Sequence, residues 1–431
     1  MESFKRLVAA GLVAMMVLGV AGCGAPASSG NQPAAPGTPA TPKAPDEIKV
    51  AIVEPLTGLA AEIGTRAANG AEQAIEEINA NGGIKALGGA KLKAVRYDTQ
   101  SKPDVGISQT EAAIKSGCVA IIGCAQSAVG MVVTQVAERN KVPILVTVAQ
   151  LDDITNRGFK YTFSVTPTTS QINGSLLNYV QTLKHPTTGN KLRIAHVYED
   201  TTYGQGAQKW LEANAKNYSV EFVGSASYPA KASDVTSVLS KVKAMNADFL
   251  LISSYLQDAV LIMRTAKDLR LNALGIQDSS GDQEEFAKML GPIADYVYFN
   301  MYWSPESRIP GAEADRGKKV NQTHKDKYGE EASGFAMLGH TAAYVLKSAL
   351  EKAASTDGEA LRKALAETNL TGGDGIIMPV KTLKFDDKGR NIEAGVLVGQ
   401  VLEGKRGAIW PADFATVQPV FPMPSWEKRG L

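Results

Sequence analysis

Apolar positions along the chain fall into short β-branched runs, separated by longer stretches in which they recur every three or four residues. Residues 48–53 (IKVAIV, from Ile48) form a run of the first kind. Residues 64–81 are of the second kind, with Ala67, Ala71, Ala74, Ile75 and Ile78 on one helical face. The alternation predicts strands at 92–98, 119–123 and 144–147, with helices at 104–116 and 128–139 between them. The rhythm restarts with strands at 193–198, 221–227, 249–253, 273–276 and 296–301, interleaved with helices at 205–215, 235–244, 259–269 and 283–290. Helices at 334–353 and 359–367 follow, then a strand and turn at 384–390 that should form a hairpin with 394–402. Such βαβ alternation predicts an α/β fold with parallel sheets covered by helices on both faces. No short repeat is evident, but two successive series predict two similar lobes.

The first residues follow a different pattern. Lys5 and Arg6 precede an apolar run over 7–20, interrupted only by Gly11 and Gly19. A membrane-spanning helix needs about 20 apolar residues, so the run is short for a span and has the layout of an export signal. It ends in Val20-Ala21-Gly22-Cys23, which resembles the lipobox in which a bacterial lipoprotein's cysteine is lipidated and becomes the mature N-terminus. Residues 24–45 are almost all Gly, Ala, Pro, Ser and Thr, a composition that cannot bury a core and predicts a tether.

Charge and cysteine content narrow the function. The chain has 45 Lys+Arg against 44 Asp+Glu, and without Glu2, Lys5 and Arg6 the balance is 43 to 43, with no basic run to hold a nucleic acid. No second apolar stretch approaches spanning length, so the sequence predicts a soluble body. Cys118 and Cys124 flank a predicted strand, which places them roughly 20 Å apart, too far for a disulfide; both are expected as free thiols. The four histidines, His185, His196, His324 and His340, form no metal-spaced cluster, and no Gly-x-Ser-x-Gly elbow is present. Gly204-Gln205-Gly206 begins like a dinucleotide fingerprint, but Lys209 stands where the third glycine belongs. Neither an enzyme nor a cofactor is expected.

Several segments, in order, resemble the type I periplasmic binding proteins, in particular the leucine/isoleucine/valine-binding branch. They include Pro55-Leu56-Thr57-Gly58 after the first strand, Glu76-Glu77-Ile78-Asn79-Ala80-Asn81-Gly82-Gly83-Ile84, and Val142-Pro143-Ile144. Asp200-Thr201-Thr202-Tyr203-Gly204 and Phe385-Asp386-Asp387-Lys388-Gly389 continue the series. The resemblance implies two Rossmann-like α/β lobes joined by a three-segment hinge, closing on a ligand in the cleft. Mapped here, lobe 1 takes 46–165 and 302–380, lobe 2 takes 166–301 and 381–410, and 411–431 is a surface tail. Thr166-Pro167 suits the first hinge, because proline restricts the residue before it to extended backbone.

In an open α/β sheet ligands bind beyond the carboxyl ends of the strands, which directs attention to the loops there. Ser127 opens a helix after a strand; the resemblance makes it a carboxylate-binding serine, and capping of that helix is the plainer role. Ala149 and Gln150 match a small residue followed by a hydroxyl residue, so Gln150 departs from the family pattern and either contacts ligand or faces solvent. Tyr203 and Tyr255 match closing tyrosines, or pack in the fold. Asp278, or Gln277 if the register slips by one, matches the acidic partner of an ammonium; capping the next helix is the alternative. Ile63 replaces an aromatic in the side-chain pocket. The implied function is a lipid-anchored extracytoplasmic protein that captures a small amino acid, branched-chain or apolar first, for an ABC permease and its ATPase. Ligands of amide, urea-like or aromatic carboxylate type, and a sensory role, are the alternatives. A sensory receptor would be expected to continue into a transmembrane helix, and none follows before Leu431.

Overall fold

A computed structural model describes residues 46–309 and 311–431. The export segment, Cys23 and the tether lie outside them. The first sheet is β1 (Glu47–Glu54), β2 (Lys91–Asp98), β3 (Ala120–Ile122), β4 (Ile144–Val146) and β5 (Thr162–Ser164), in the order β2-β1-β3-β4-β5 and parallel throughout. Its connections carry α1 (Ala61–Ala80), α2 (Pro103–Lys115), α3 (Ser127–Arg139) and the short α4 (Asp153–Asn156). α5 (Thr169–Val180) then leads to the second sheet: β6 (Arg193–Glu199), β7 (Glu221–Tyr228), β8 (Phe249–Ser253), β9 (Gly275–Asp278) and β10 (Tyr298–Met301). α6 (Thr202–Asn214), α7 (Thr236–Ala244), α8 (Leu256–Asp268) and α9 (Glu284–Leu290) connect these strands.

After β10 the chain returns to the first lobe. α10 (Arg316–Tyr328), α11 (Gly334–Ala353) and α12 (Gly358–Ala366) share one core with β1, β3 and α1. The two-residue strands β11 (Asn369–Leu370) and β12 (Leu383–Lys384) pair with each other there. β13 (Leu397–Leu402) and β14 (Lys405–Trp410) complete the second sheet, β14-β13-β10-β9-β8-β6-β7.

Three expectations require correction. The hairpin forms between β13 and β14, not between 384–390 and 394–402. Phe385 instead packs on Phe163, ring centroids 5.2 Å apart, and the turn after it bridges to Ser164. For the same reason the chain stays with the first lobe's core as far as Val396, well past the boundary expected at 380. The last segment is not a surface tail: Trp426 is fully buried against the second lobe, its indole N–H donating to Leu271 O at 2.9 Å, and Met423 joins the same core.

Helices α1 and α11 set the first lobe's geometry. α1 buries the expected face and also Ala68 and Gly70, and α11 crosses it at Ala67, Gly70 and Ala71. The crossing is tight enough to require glycine twice. A Cβ on Gly70 would lie 1.7 Å from Ala336 O, and one on Gly339 would lie 2.0 Å from Ala67 O. Gly339→Ala should therefore lower stability by about 1–3 kcal/mol, the usual cost of overpacking a close-packed contact. An unchanged thermal unfolding midpoint would contradict this packing.

Candidate functional site

The carboxyl ends of both sheets face one cavity. Every chain turn that reaches it leaves a strand or enters a helix, as the strand-end rule requires. From the first lobe come Ile63 on α1, Ala125 and Ser127 after β3, and Val148 and Gln150 after β4. From the second come Tyr203 at the start of α6, Ser254 and Tyr255 after β8, and Ser279, Ser280 and Gln283 after β9. Tyr302, just past β10, and Phe335 in the first turn of α11 close the wall.

Among the described residues six helices begin at this cavity, and two of them, α1 and α9, carry acids in the first turn, Glu62 in α1 and Glu284 and Glu285 in α9. The first N–H groups of any helix lack intrahelical acceptors. At α6 the Glu199 carboxylate fills that role, accepting from Gly204 N at 3.0 Å. At α11, Ser333 Oγ accepts from Ala336 N. α8 carries Asp258 in its first turn. α3 has no side-chain cap and no acid in its first turn. Its first residue is Ser127 itself, with Gln126 at the capping position. Ser127 therefore does not cap the helix. Its side chain is buried, lines the cavity, and makes no hydrogen bond to another described residue. An uncapped helix N-terminus beside a free hydroxyl is suited to a carboxylate.

Gln150 is buried and does not face solvent. Its side-chain N–H donates to Tyr302 Oη at 2.6 Å, and its backbone carbonyl accepts from Thr169 N at 2.7 Å, tying the loop after β4 to the first two of the three chain passages between the lobes. Tyr203 and Tyr255 stand together, ring centroids 6.1 Å apart and planes tilted by 55°. Burial pushes Tyr203 up to about 12 and raises Tyr255 further, so both hydroxyls stay protonated and able to donate.

Two expected residues are not in the wall. Ala149 turns away into the apolar core of the first lobe with Ile154 and Cys124, because alternation along this loop presents Val148 and Gln150 to the cavity. Asp278 is fully buried behind the wall. Its Oδ1 accepts from Ser254 Oγ at 2.7 Å and from Ser280 N at 2.8 Å, so it caps the turn at Ser279–Asp282. Gln277 faces a separate, smaller space with His196 and Asn300. The serines missed in the sequence, Ser254, Ser279 and Ser280, therefore stand between Asp278 and the cavity. Their signal was available: Ser254 directly follows β8, and Ser279 and Ser280 are the first two residues after β9. The two cysteines are free and buried.

Burial pushes Asp278 up from 3.8 to about 7, against the two hydrogen bonds that favour its ionised form. Between those values the folded chain keeps a proton that the unfolded chain has released. The group therefore lowers stability as pH rises through that window, with no further loss above it. Asp278→Asn keeps an oxygen for Ser254 and removes the ionisation. The ligand-free variant should gain stability relative to the parent between about pH 4 and pH 7 and hold that gain above. Unfolding curves separated by a constant amount across this range would contradict the assignment.

Comparison with known proteins agrees with this geometry. The model of the family described as periplasmic binding protein matches residues 47–406. The Leu/Ile/Val-binding protein homolog 7 of Brucella abortus (strain 2308) is 29% identical over 395 residues, covering 87% of this chain and 94% of that protein. Among solved structures, a leucine-binding protein LivK from Thermotoga maritima superposes with a TM-score of 0.72 at 23% identity, covering 84% of this chain and 97% of that one. The branched-chain amino acid transporter substrate binding protein LivJ from Streptococcus pneumoniae, in complex with isoleucine, gives 0.71 at 24%, covering 84% and 98%. At those identities the structural likeness is one of fold, the type I periplasmic binding protein fold. Among the described residues no helix is long and apolar enough to cross a membrane. With one lobe on a parallel sheet, a second on parallel strands ended by the antiparallel β13 and β14, three chain passages between them and a strand-end cavity, the chain belongs to the periplasmic binding protein family, a family of non-enzymatic solute-binding proteins.

Proposed function

We propose that this protein captures a small α-amino acid, with an apolar or branched side chain favoured, and delivers it to the permease of an ABC importer whose separate ATPase subunit hydrolyses ATP. The observation that carries the reading is the free Ser127 hydroxyl at α3, among the described residues the one cavity-facing helix whose first turn is neither capped nor acidic. The solute's carboxylate docks there first, on the lobe that also presents Gln150. Closure then brings Tyr203 and Tyr255 over it, a shift toward the state the ligand prefers.

The ammonium end needs acceptors. Ser254 donates its hydroxyl hydrogen to Asp278, which leaves its oxygen lone pairs available on the cavity side. Asp278 thereby acts through the serine. Ile63, Val148 and Phe335 supply an apolar surface for the side chain. The Brucella relative's name and the isoleucine in the Streptococcus structure support this choice of solute. The lipobox-like Val20–Cys23 and the tether after it support an extracytoplasmic protein anchored through lipid on Cys23.

A second reading has its own observation: no side chain lining the cavity carries a charge. A carboxylate without an ammonium, such as an aromatic acid, or a neutral amide or urea-like solute, would suit such a wall. A thermal-shift screen separates the two, since a solute bound only by the folded chain raises the melting temperature, by about 2.7 kcal/mol of stability at a hundredfold excess over Kd. Leucine, isoleucine or valine should give the largest shifts, and Ser127→Ala should weaken their binding by about 1.5–3 kcal/mol, the loss of a hydrogen bond to a charged group. Shifts from aromatic acids or amides alone would transfer the conclusion to the second reading. No shift from any of these solutes would reject both.

A further inference from the structure

The rim of the cavity carries a charged cluster that the binding scheme does not use. Arg66 on α1 is 4% exposed and bonds three carboxylates. Two belong to its own lobe: Glu62 one turn earlier, bonded to Nε, and Glu330 ahead of α11, 3.1 Å from Nη2. The third, Glu285 on α9, reaches across from the other lobe, 2.8 Å from the same Nη2. Both ends of this bond lie close to the solute. Ile63, one turn from Arg66, and Gln283, two residues from Glu285, line the cavity.

We propose that the Arg66–Glu285 pair is an electrostatic catch on the closed cleft, and that Glu285 is a positioning residue that sets how long the solute is held. What matters is which partners each group keeps when the lobes part. A buried guanidinium left without a counter-charge is expensive. Arg66 avoids that cost, because Glu62 and Glu330 stay with it. Glu285 is about a third exposed and returns to water. Opening therefore strands no buried charge.

Closure is correspondingly modest in gain. Glu285 meets one cation but also two carboxylates, so three acids share one guanidinium. The excess shows at Glu62, which burial, helped by Glu285 and Glu330, pushes up to about 7 despite the neighbouring Arg66. The Glu62 and Glu285 Oε2 atoms are buried without a hydrogen-bond partner among the described residues. A bond of this kind favours the closed state without locking it, which suits a protein that must give up its solute. The same segment makes a second contact across the cleft. The Asp282 carboxylate fits against Gly334, the first residue of α11, where a Cβ would come within 2.8 Å of its Oδ2. One stretch, Ser279 to Glu285, thus combines side chains that face the solute with side chains that engage the opposite lobe.

Glu285→Gln keeps size and removes charge, and leaves Arg66 paired. Small-angle scattering of the ligand-free full chain reads the catch directly. The parent's radius of gyration should rise between about 20 mM and 500 mM salt as the pair is screened, and E285Q should show the larger radius at both. Stopped-flow release of L-leucine is the second reading. E285Q should release it roughly two- to fivefold faster, the scale of a partly exposed ion pair, with little change in association. E285K, which sets a cation against Arg66, should go further in the same direction. Radii for E285Q that match the parent's at both salt concentrations would overturn the catch. Failure of the parent to bind leucine would count against the proposed solute instead, and scattering would still decide on Glu285.

Discussion

A carboxylate can be taken out of water only where donors replace its hydration, and a fold has few places to hold unused donors. The start of a helix is one of them. In this protein most of the helix starts at the cavity are already occupied: Glu199 serves α6, Ser333 serves α11, and Asp258 enters the first turn of α8. α3 is left open, with Ser127 at its head. The rest of the architecture follows from delivering that one helix start, and a wall opposite it, to the same point in space. Parallel sheets do so naturally, because each strand ends where the next helix begins.

The opposite wall is built on the same economy. Asp278 does not face the cavity, yet it orients the groups that do, holding Ser254 Oγ and Ser280 N at 2.7 and 2.8 Å. A buried acid that speaks through a serine presents an acceptor to the solute without placing a bare carboxylate in an apolar cleft. Gln150 does the same on the first lobe, with its donor committed to Tyr302 at 2.6 Å. The cavity wall is thus neutral by composition, and polar by virtue of what stands behind it.

Much of this was legible in the sequence. The βαβ rhythm placed the sheet strands β1 to β4 and β6 to β10 and the helices between them, because burial on both faces leaves near-continuous apolar runs. Three helices were not read, one of them the four-residue α4. α5 carries a capping box at Thr168 and Gln171 that could have marked its start. α10 buries only Gly317, Val320 and His324 in an otherwise polar stretch, a stripe too thin to register. Strand ends identified Ser127, Gln150, Tyr203 and Tyr255, all of which line the cavity. Ala149 and Asp278 were placed one layer too far forward, since facing within a loop is set by tertiary packing that no spacing encodes. The burial of Trp426 was likewise invisible, as it depends on the Leu271 carbonyl far away in the chain.

On the proposed scheme the charge distribution separates grip from release. Uncharged side chains line the cavity, while Arg66 stands one turn from Ile63 in its wall, bonded to its acids. The central claim concerns the grip, and a crystal structure of the protein grown with L-leucine tests it most directly. The amino acid should lie between the lobes, its carboxylate within hydrogen-bond distance of Ser127 Oγ and of the first-turn N–H groups of α3. A solute whose carboxylate lies elsewhere, with the head of α3 left to water, would contradict it.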